Sequence, residues 1–249
     1  LKKSLKHNLL TVGSWITIGH PSVVEILSNA GFDWLTIDME HNSIDPSMMQ
    51  TLISTIQSKD IAALVRVSKN EEVSIKHALD AGADGIIVPM VNNENDAVKA
   101  VEYSKYPPYG KRGVGLSRAQ NYGVSFNEYK QWAKENLVII AQIEHIEGVK
   151  NLDKIISIKG IDGIIVGPYD LSGSLGFPGE FDREDVKKAL TKVKEICLEK
   201  KFPMGYHVVE PDVELVNSKI LEGYTFMAFS TDFYFMGQKA KDSVKKIQS

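Results

Sequence analysis

The sequence has 249 residues, 43% hydrophobic and 24% charged, with a formal net charge of −3; that suits one large α/β barrel or, less comfortably, two small domains. The weak negative charge gives no footing for nucleic acid or an anionic membrane surface, and no apolar stretch is long enough to span a bilayer. The single cysteine, Cys197, excludes an intrachain disulfide and fits a reducing cytoplasm; so does the start Leu1-Lys2-Lys3-Ser4-Leu5-Lys6, which lacks the apolar run of a signal peptide.

Eight short apolar runs follow in chain order: Val12–Ile18, Trp34–Glu40, Ala62–Val67, Gly85–Val91, Val138–Glu144, Gly163–Pro168, Met204–Val209 and Phe226–Thr231. Several are apolar without alternation, as expected of parallel strands covered on both faces. Helix-length amphipathic segments separate them. Asp45-Pro46 reads as an N-cap with proline at the first helical position, and Gly31 and Gly82 read as helix ends. AGFDWLTID, AGADGIIVP and IKGIDGIIVGP repeat one device: helix end, glycine, aspartate, strand. Strands alternating with helices leave a closed barrel or an open doubly wound sheet. Strand count, length and the lack of a dinucleotide fingerprint favour a single (β/α)₈ barrel over 1–249. A C-terminal helix over about 232–247 would be free to pack on a neighbouring subunit. GVGLSR after Arg112 lacks the third glycine of a phosphate-binding loop. The irregular stretch from about Tyr106 to Tyr122 is long for a compact domain, which points to function.

Chemistry in such barrels sits at the carboxyl ends of the strands. There the sequence places Asp38-Met39-Glu40-His41, Arg66, Gln142-Ile143-Glu144 and Gly167-Pro168-Tyr169-Asp170. Charges ending buried strands on one face are costly unless paired or bound to something. Glu144 and Asp170 end consecutive strands, and two oxygen ligands with open positions suit Mg²⁺ or Mn²⁺. The same pair could instead be surface carboxylates, a salt bridge with Arg66, or a glycosidase acid/base pair. Arg66 could clamp a carboxylate or stabilise an enolate oxygen, or form an ion pair with Asp38 or Glu40. His41 is a candidate base or proton relay, or a structural residue. His20, His77 and His145 read as structural or exposed, and His207 lies within or just after the seventh strand. No strand end carries a lysine, so a Schiff base is unsupported.

Several motifs resemble the HpcH/HpaI aldolases, a family related to macrophomate synthase. They are AGFDWLTIDMEH (30–41), LVRV around Arg66, ALDAGADGIIVPMV (78–91), YPPYGKRGVG (106–115), QIE (142–144) and GPYDLS (167–172), in family order across nearly the whole chain. The resemblance implies a class II pyruvate aldolase with a divalent metal (Mg, Mn or Co) held by Glu144 and Asp170. It implies that Arg66 neutralises charge on the oxo oxygen, and that His41 with Asp80 moves the proton on the 4-hydroxyl. Gln142 would sit beside the substrate, and the backbone from Gly167 and Pro168 through Tyr169 would hold the pyruvate carboxylate. Met39 and Tyr169 stand where well-known members have glycine and alanine or serine, and MGYHVV is more polar than its counterpart; these differences leave the aldehyde open.

The expected reaction is reversible cleavage of a 4-hydroxy-2-oxo acid to pyruvate and an aldehyde. The alternatives are a CoA-ester lyase of the citrate-lyase β type and a non-catalytic barrel subunit. Topology sets Asp80, late in the helix after the third strand, on the face opposite His41. The dyad is therefore either absent or formed across subunits; the resemblance, which implies a homo-oligomer, a trimer or hexamer, favours the second.

Overall fold

The computed structural model describes residues 1–248. Eight parallel strands close into a barrel in chain order: β1 (Thr11–Ile16), β2 (Trp34–Asp38), β3 (Ala62–Arg66), β4 (Gly85–Val88), β5 (Val138–Ile143), β6 (Gly163–Val166), β7 (Met204–Val208) and β8 (Phe226–Thr231). The helices are α1 (Lys2–Lys6), α2 (Pro21–Ser28), α3 (Pro46–Gln57), α4 (Glu72–Asp80), α5 (Glu94–Ser104), α6 (Phe126–Asn136), α7 (Ile146–Lys150), α8 (Leu152–Ile156), α9 (Pro168–Ser174), α10 (Glu184–Lys200), α11 (Val213–Leu221) and α12 (Asp232–Gln248). Among the described residues no helix is long and apolar enough to cross a membrane.

The period-two alternation of strand side chains divides the core in two. Outward residues such as Leu35, Ile37, Ile139 and Tyr206 pack beneath the helices. Inward residues Trp15, Trp34, Leu64, Ile87, Ile140, Ile165 and Phe226 fill the barrel, and Leu5 of α1 joins them. Trp34 stacks on Phe226 at 4.3 Å, and Gly13 makes the room: a Cβ there would lie 2.0 Å from Trp34 Cδ2.

The aspartate of the repeated device has one job in all three copies. Asp33, Asp84 and Asp162 each precede an even-numbered strand, and their Oδ2 atoms accept from the amides of Val12 (2.8 Å), Ala63 (2.8 Å) and Ile139 (2.9 Å) on the preceding odd strand. Each bond fixes the register of one strand pair at the amino end of the barrel. Burial pushes the Asp84 carboxyl above its ordinary range, although the Ala63 amide favours ionisation.

Seven of the eight strands end one to three residues before the expected boundary, where the chain turns into the loop or helix that follows. The sixth ends at Val166 rather than Pro168; Gly167 then caps α9 and Pro168 takes its first position. The fourth ends at Val88 rather than Val91, and Met90 adopts a left-handed backbone (φ 53°). The stretch Tyr106–Tyr122 follows α5 down to the amino end, where Arg118 donates to the Ala81 carbonyl (3.0 Å) and to Gln57 (2.9 Å). It therefore lies on the face opposite the strand-end charges of its own barrel. Of α12 only Asp232 is buried. That carboxylate accepts from the Thr17 and Ile18 amides, both at 2.8 Å, and ties the helix start to the end of β1.

Candidate active site at the carboxyl end of the barrel

The barrel mouth is organised around Arg66, the last residue of β3 and 7% exposed. Its Nε donates to Asp38 Oδ1 (2.8 Å), and its Nη2 lies 2.8 Å from Asp38 Oδ2. β2 and β3 pair Asp38 with Arg66 directly, so the sheet register itself builds this fork. Burial disfavours the charge on Asp38, yet the Arg66 guanidinium outweighs it and holds the carboxyl below its ordinary range. Asn42 also donates to Asp38 Oδ2. Arg66 Nη1 lies 3.2 Å from Glu40 Oε2, but this buried oxygen has no aligned hydrogen bond, so the contact is an ion pair only. Guanidinium donors remain for an incoming oxygen. The expected alternative for Arg66, an ion pair with Asp38 or Glu40, is thus realised with both carboxylates.

Glu144 follows β5 and is 3% exposed. Its Oε1 accepts from the Met90 amide (2.6 Å) and its Oε2 from Gln142 Nε2 (2.6 Å). The left-handed backbone of Met90, costly for a residue with a Cβ, turns that amide onto the carboxylate. Burial pushes the Glu144 carboxyl up to about 7; the Met90 bond and Arg66 oppose the rise, while the charges of Glu40 and Asp170 add to it. Burial likewise raises Glu40, with Asp38 and Asp170 adding to the effect against Arg66 and His41.

Asp170 is exposed in the first turn of α9, with its charge felt by both glutamates. Gln142 is buried, and its Oε1 has no partner. Gly167 keeps the floor open: a Cβ there would lie 3.0 Å from Gln142 Nε2 and 3.1 Å from Glu144 Oε2. Pro168 is buried, whereas Tyr169 is 41% exposed with its ring edge-on to Phe181 at 4.9 Å.

A divalent cation fits these residues. Negative groups face one another with a single nearby guanidinium as counter-charge, Glu40 Oε2 and Gln142 Oε1 are buried without hydrogen bonds, and the glycine leaves a cradle. Among the described residues no three His, Cys, Asp or Glu side chains converge as a ready ligand set. A cation on Glu144 and Asp170 would keep positions open for water and substrate oxygens.

The structure does not join His41 and Asp80 within one chain. His41 is exposed, its Nε2 4.0 Å from Glu40 Oε2. Asp80 ends α4, and its Oδ1 accepts from Arg112 Nη2 at 2.6 Å. Arg112 is enclosed by the rings of Tyr106 (4.7 Å) and Tyr129 (5.5 Å) and donates to the Tyr129 hydroxyl (3.0 Å). The sequence reading did not single out Arg112 or the Met90 amide. The basic residue in YPPYGKRGVG was a visible signal for the first; a backbone donor leaves none. His20 and His145 cap α2 and α7 through Nδ1.

The chain matches the HpcH/HpaI aldolase/citrate lyase family over residues 11–236. It is 36% identical to a 5-keto-4-deoxy-D-glucarate aldolase of Citrobacter koseri, covering 98% of this chain and 96% of that one. It is 35% identical to a 2-dehydro-3,6-dideoxy-6-sulfogluconate aldolase of Pseudomonas putida, covering 96% and 92%. The crystal structure of a family protein from Burkholderia cenocepacia superposes with a TM-score of 0.94 at 30% identity, covering 100% and 98%. A citrate lyase β subunit from M. tuberculosis, 13% identical with a TM-score of 0.63, shares the fold alone. The chain belongs to the HpcH/HpaI aldolase/citrate lyase family, and it is a carbon–carbon lyase of the aldolase type.

Proposed function

We propose that the protein is a divalent-metal-dependent aldolase that reversibly cleaves a 4-hydroxy-2-oxo acid to pyruvate and an aldehyde. One observation carries this reading: Glu144 is buried, pushed up to about 7, and faced by the charges of Glu40 and Asp170 beside Arg66. Such an arrangement is costly in isolation and suits a cation and an anionic substrate.

Glu144 and Asp170 would hold the metal. A bound Mg²⁺, Mn²⁺ or Co²⁺ would supply Lewis acidity toward the 2-oxo group. Arg66, held in its fork by Asp38, would neutralise negative charge developing on the 2-oxo oxygen, with no side-chain rearrangement needed as the charge forms. The amides of Tyr169 and Asp170 lie in the first turn of α9, where helical N–H groups lack intrahelical partners, and would hold the pyruvate carboxylate above Gly167 and Pro168. Gln142, tied to Glu144, would keep that carboxylate oriented and meet the substrate with its free Oε1. His41, with Asp80 of a neighbouring subunit, would move the proton on the 4-hydroxyl through a water. That cross-subunit dyad requires a homo-oligomer, which we propose is a trimer or hexamer. The exposed apolar side chains of α12, Phe233, Met236 and Val244, are consistent with cover by another copy. A cytoplasmic setting belongs to the same reading.

Release of pyruvate from a panel of 4-hydroxy-2-oxo acids tests it. Release that requires added metal is expected; cleavage of an acyl-CoA ester in preference to every panel member would replace it with the citrate-lyase type of reaction.

A further inference from the structure

β7 alternates in direction. Tyr206 and Val208 pack outward beneath the helices, so His207 between them points into the barrel. Its ring lies on that of Trp15, 4.5 Å away with 22° between the planes. Trp15 also carries the Arg66 guanidinium, whose Cζ is 5.7 Å from the ring centre. His207 therefore shares the mouth with the groups assigned to the 2-oxo acid.

The backbone beside it is shaped to hold the ring. β8 shifts register against β1, from Gly13↔Ala228 to Trp15↔Thr231, and Ser230 within that bulge has a left-handed φ of 56°. The Ser230 carbonyl lies 3.3 Å from His207 Nε2. A carbonyl only accepts, so Nε2 bears the hydrogen. Burial drives the imidazole down to about 4, which keeps it neutral. A neutral ring donating from Nε2 has a lone pair at Nδ1. Nδ1 has no hydrogen-bond partner among the described residues and is not a buried orphan, so it is open to an incoming molecule.

A cavity of about 250 Å³ has His207 in its lining together with Tyr206, Val208, Phe181, Glu210 and Asp212, and no lysine or arginine. Arg66, Glu144 and Asp170 would take the 2-oxo acid on the β3, β5 and β6 side. The sector of Trp15, His207 and Ser230, beyond the Arg66–Asp38 pair, is left for the other half of the substrate.

We propose that His207 is a specificity-determining residue whose Nδ1 accepts a hydrogen bond from a hydroxyl on the aldehyde-derived half of the substrate, selecting hydroxyaldehydes over apolar and acid-terminated ones. The inference rests on the aldolase reading above. A neutral acceptor rewards a hydroxyl donor and gives an alkyl chain nothing. A carboxylate would meet the lone pair at Nδ1 and then Glu210 and Asp212, with no cation lining the cavity to receive it.

The test is aldol addition of pyruvate to glycolaldehyde, to propionaldehyde, which replaces the hydroxyl by a methyl, and to succinic semialdehyde, followed beside pyruvate C3 proton–deuterium exchange. The native enzyme is expected to favour glycolaldehyde by roughly ten- to a hundredfold in kcat/KM. His207→Leu should lower the glycolaldehyde value by roughly that factor more than it lowers propionaldehyde addition or exchange. His207→Gln, which restores an acceptor oxygen, should regain part of the preference. A native preference for propionaldehyde or succinic semialdehyde, or an unchanged ratio in His207→Leu, would overturn the assignment while leaving the aldolase reading intact. Absence of exchange in the native, metal-supplied enzyme would instead overturn the aldolase reading, and this inference with it.

Discussion

Among the described residues, two arginine–aspartate pairs have a buried arginine, one at each end of the barrel, and they differ in what surrounds them. Arg112 is sealed by Tyr106 and Tyr129 and bonded to Asp80 and a phenol; it clamps the 106–123 segment to the end of α4. Arg66 has an equally well-made aspartate partner, but Glu40, Glu144 and Asp170 crowd the same opening. The amino-end pair closes on itself. The mouth is left with an excess of carboxylate, burial that raises Glu144, and buried oxygens without hydrogen bonds. A paired buried charge is therefore weak evidence of function; an unbalanced set facing an opening is stronger.

Substitutions should separate the two ends. Glu144→Gln keeps the shape of the side chain and removes the charge. It should lower aldol cleavage by ~10³ or more, since metal assistance provides several kcal/mol to such reactions, while calorimetry shows lost Mn²⁺ binding and a melting temperature close to native. Full activity in this variant would make the carboxylate excess irrelevant. Arg66→Ala should cost ~10²–10³ in rate, and Arg66→Lys should rescue little because lysine lacks the planar fork. Pyruvate C3 exchange, which needs no aldehyde, is the readout, and native exchange rates in either variant would remove Arg66 from the chemistry.

Arg112→Ala should behave in the opposite manner. It leaves Asp80 without its partner and should cost about 3 kcal/mol in urea unfolding, the low end of the range because Asp80 retains 15% exposure and can be hydrated. Exchange at pyruvate C3 should persist while aldol cleavage falls, because Asp80 is assigned only to the proton on the 4-hydroxyl. Mixing His41→Ala with Asp80→Ala chains sharpens this: co-assembled protein should regain activity that neither variant has alone. Full activity of Asp80→Ala would end the cross-subunit dyad.

The smallest effect is one of pH. Glu144 is raised from 4.5 to about 7 in the fold, so between these values the folded chain holds a proton that the unfolded chain has released. The stability this confers is complete below about 4.5 and is lost as pH rises through about 7. Glu40, raised for the same reason, adds in the same direction. The urea midpoint of metal-free protein should carry a falling component across this window that flattens in Glu144→Gln. Added Mg²⁺ should restore more stability at pH 8 than at pH 5. An identical pH dependence in the two proteins would mean that Glu144 is not raised.

The barrel was legible in the sequence because its strands are apolar runs separated by capped helices, and because the aspartate of AGFD, AGAD and KGID recurs at a fixed place before a strand. The structure supplies that recurrence with a cause, the bond to the neighbouring strand's amide. Arg66, Gln142 and Glu144 were readable as polar residues ending buried strands. Strand ends were not, since Val91 and Pro168 are as apolar as the strands they follow; what stops β4 is the turn at Met90, and what stops β6 is the start of α9. The Arg112–Asp80 clamp joins residues 32 positions apart through a loop whose path no local pattern dictates. The Trp15–His207 stack joins β1 to β7 across β8, and only barrel closure brings the two rings together.

Whether Glu144, Asp170 and Arg66 form a metal-assisted site for a 2-oxo acid is decided by C3 proton–deuterium exchange of pyruvate, measured by NMR before and after chelation. Exchange is expected with the metal-supplied enzyme, to be lost on chelation and to return with Mg²⁺, Mn²⁺ or Co²⁺. Exchange that persists after chelation, with pyruvate trapped on the protein by borohydride, would contradict a metal-assisted site.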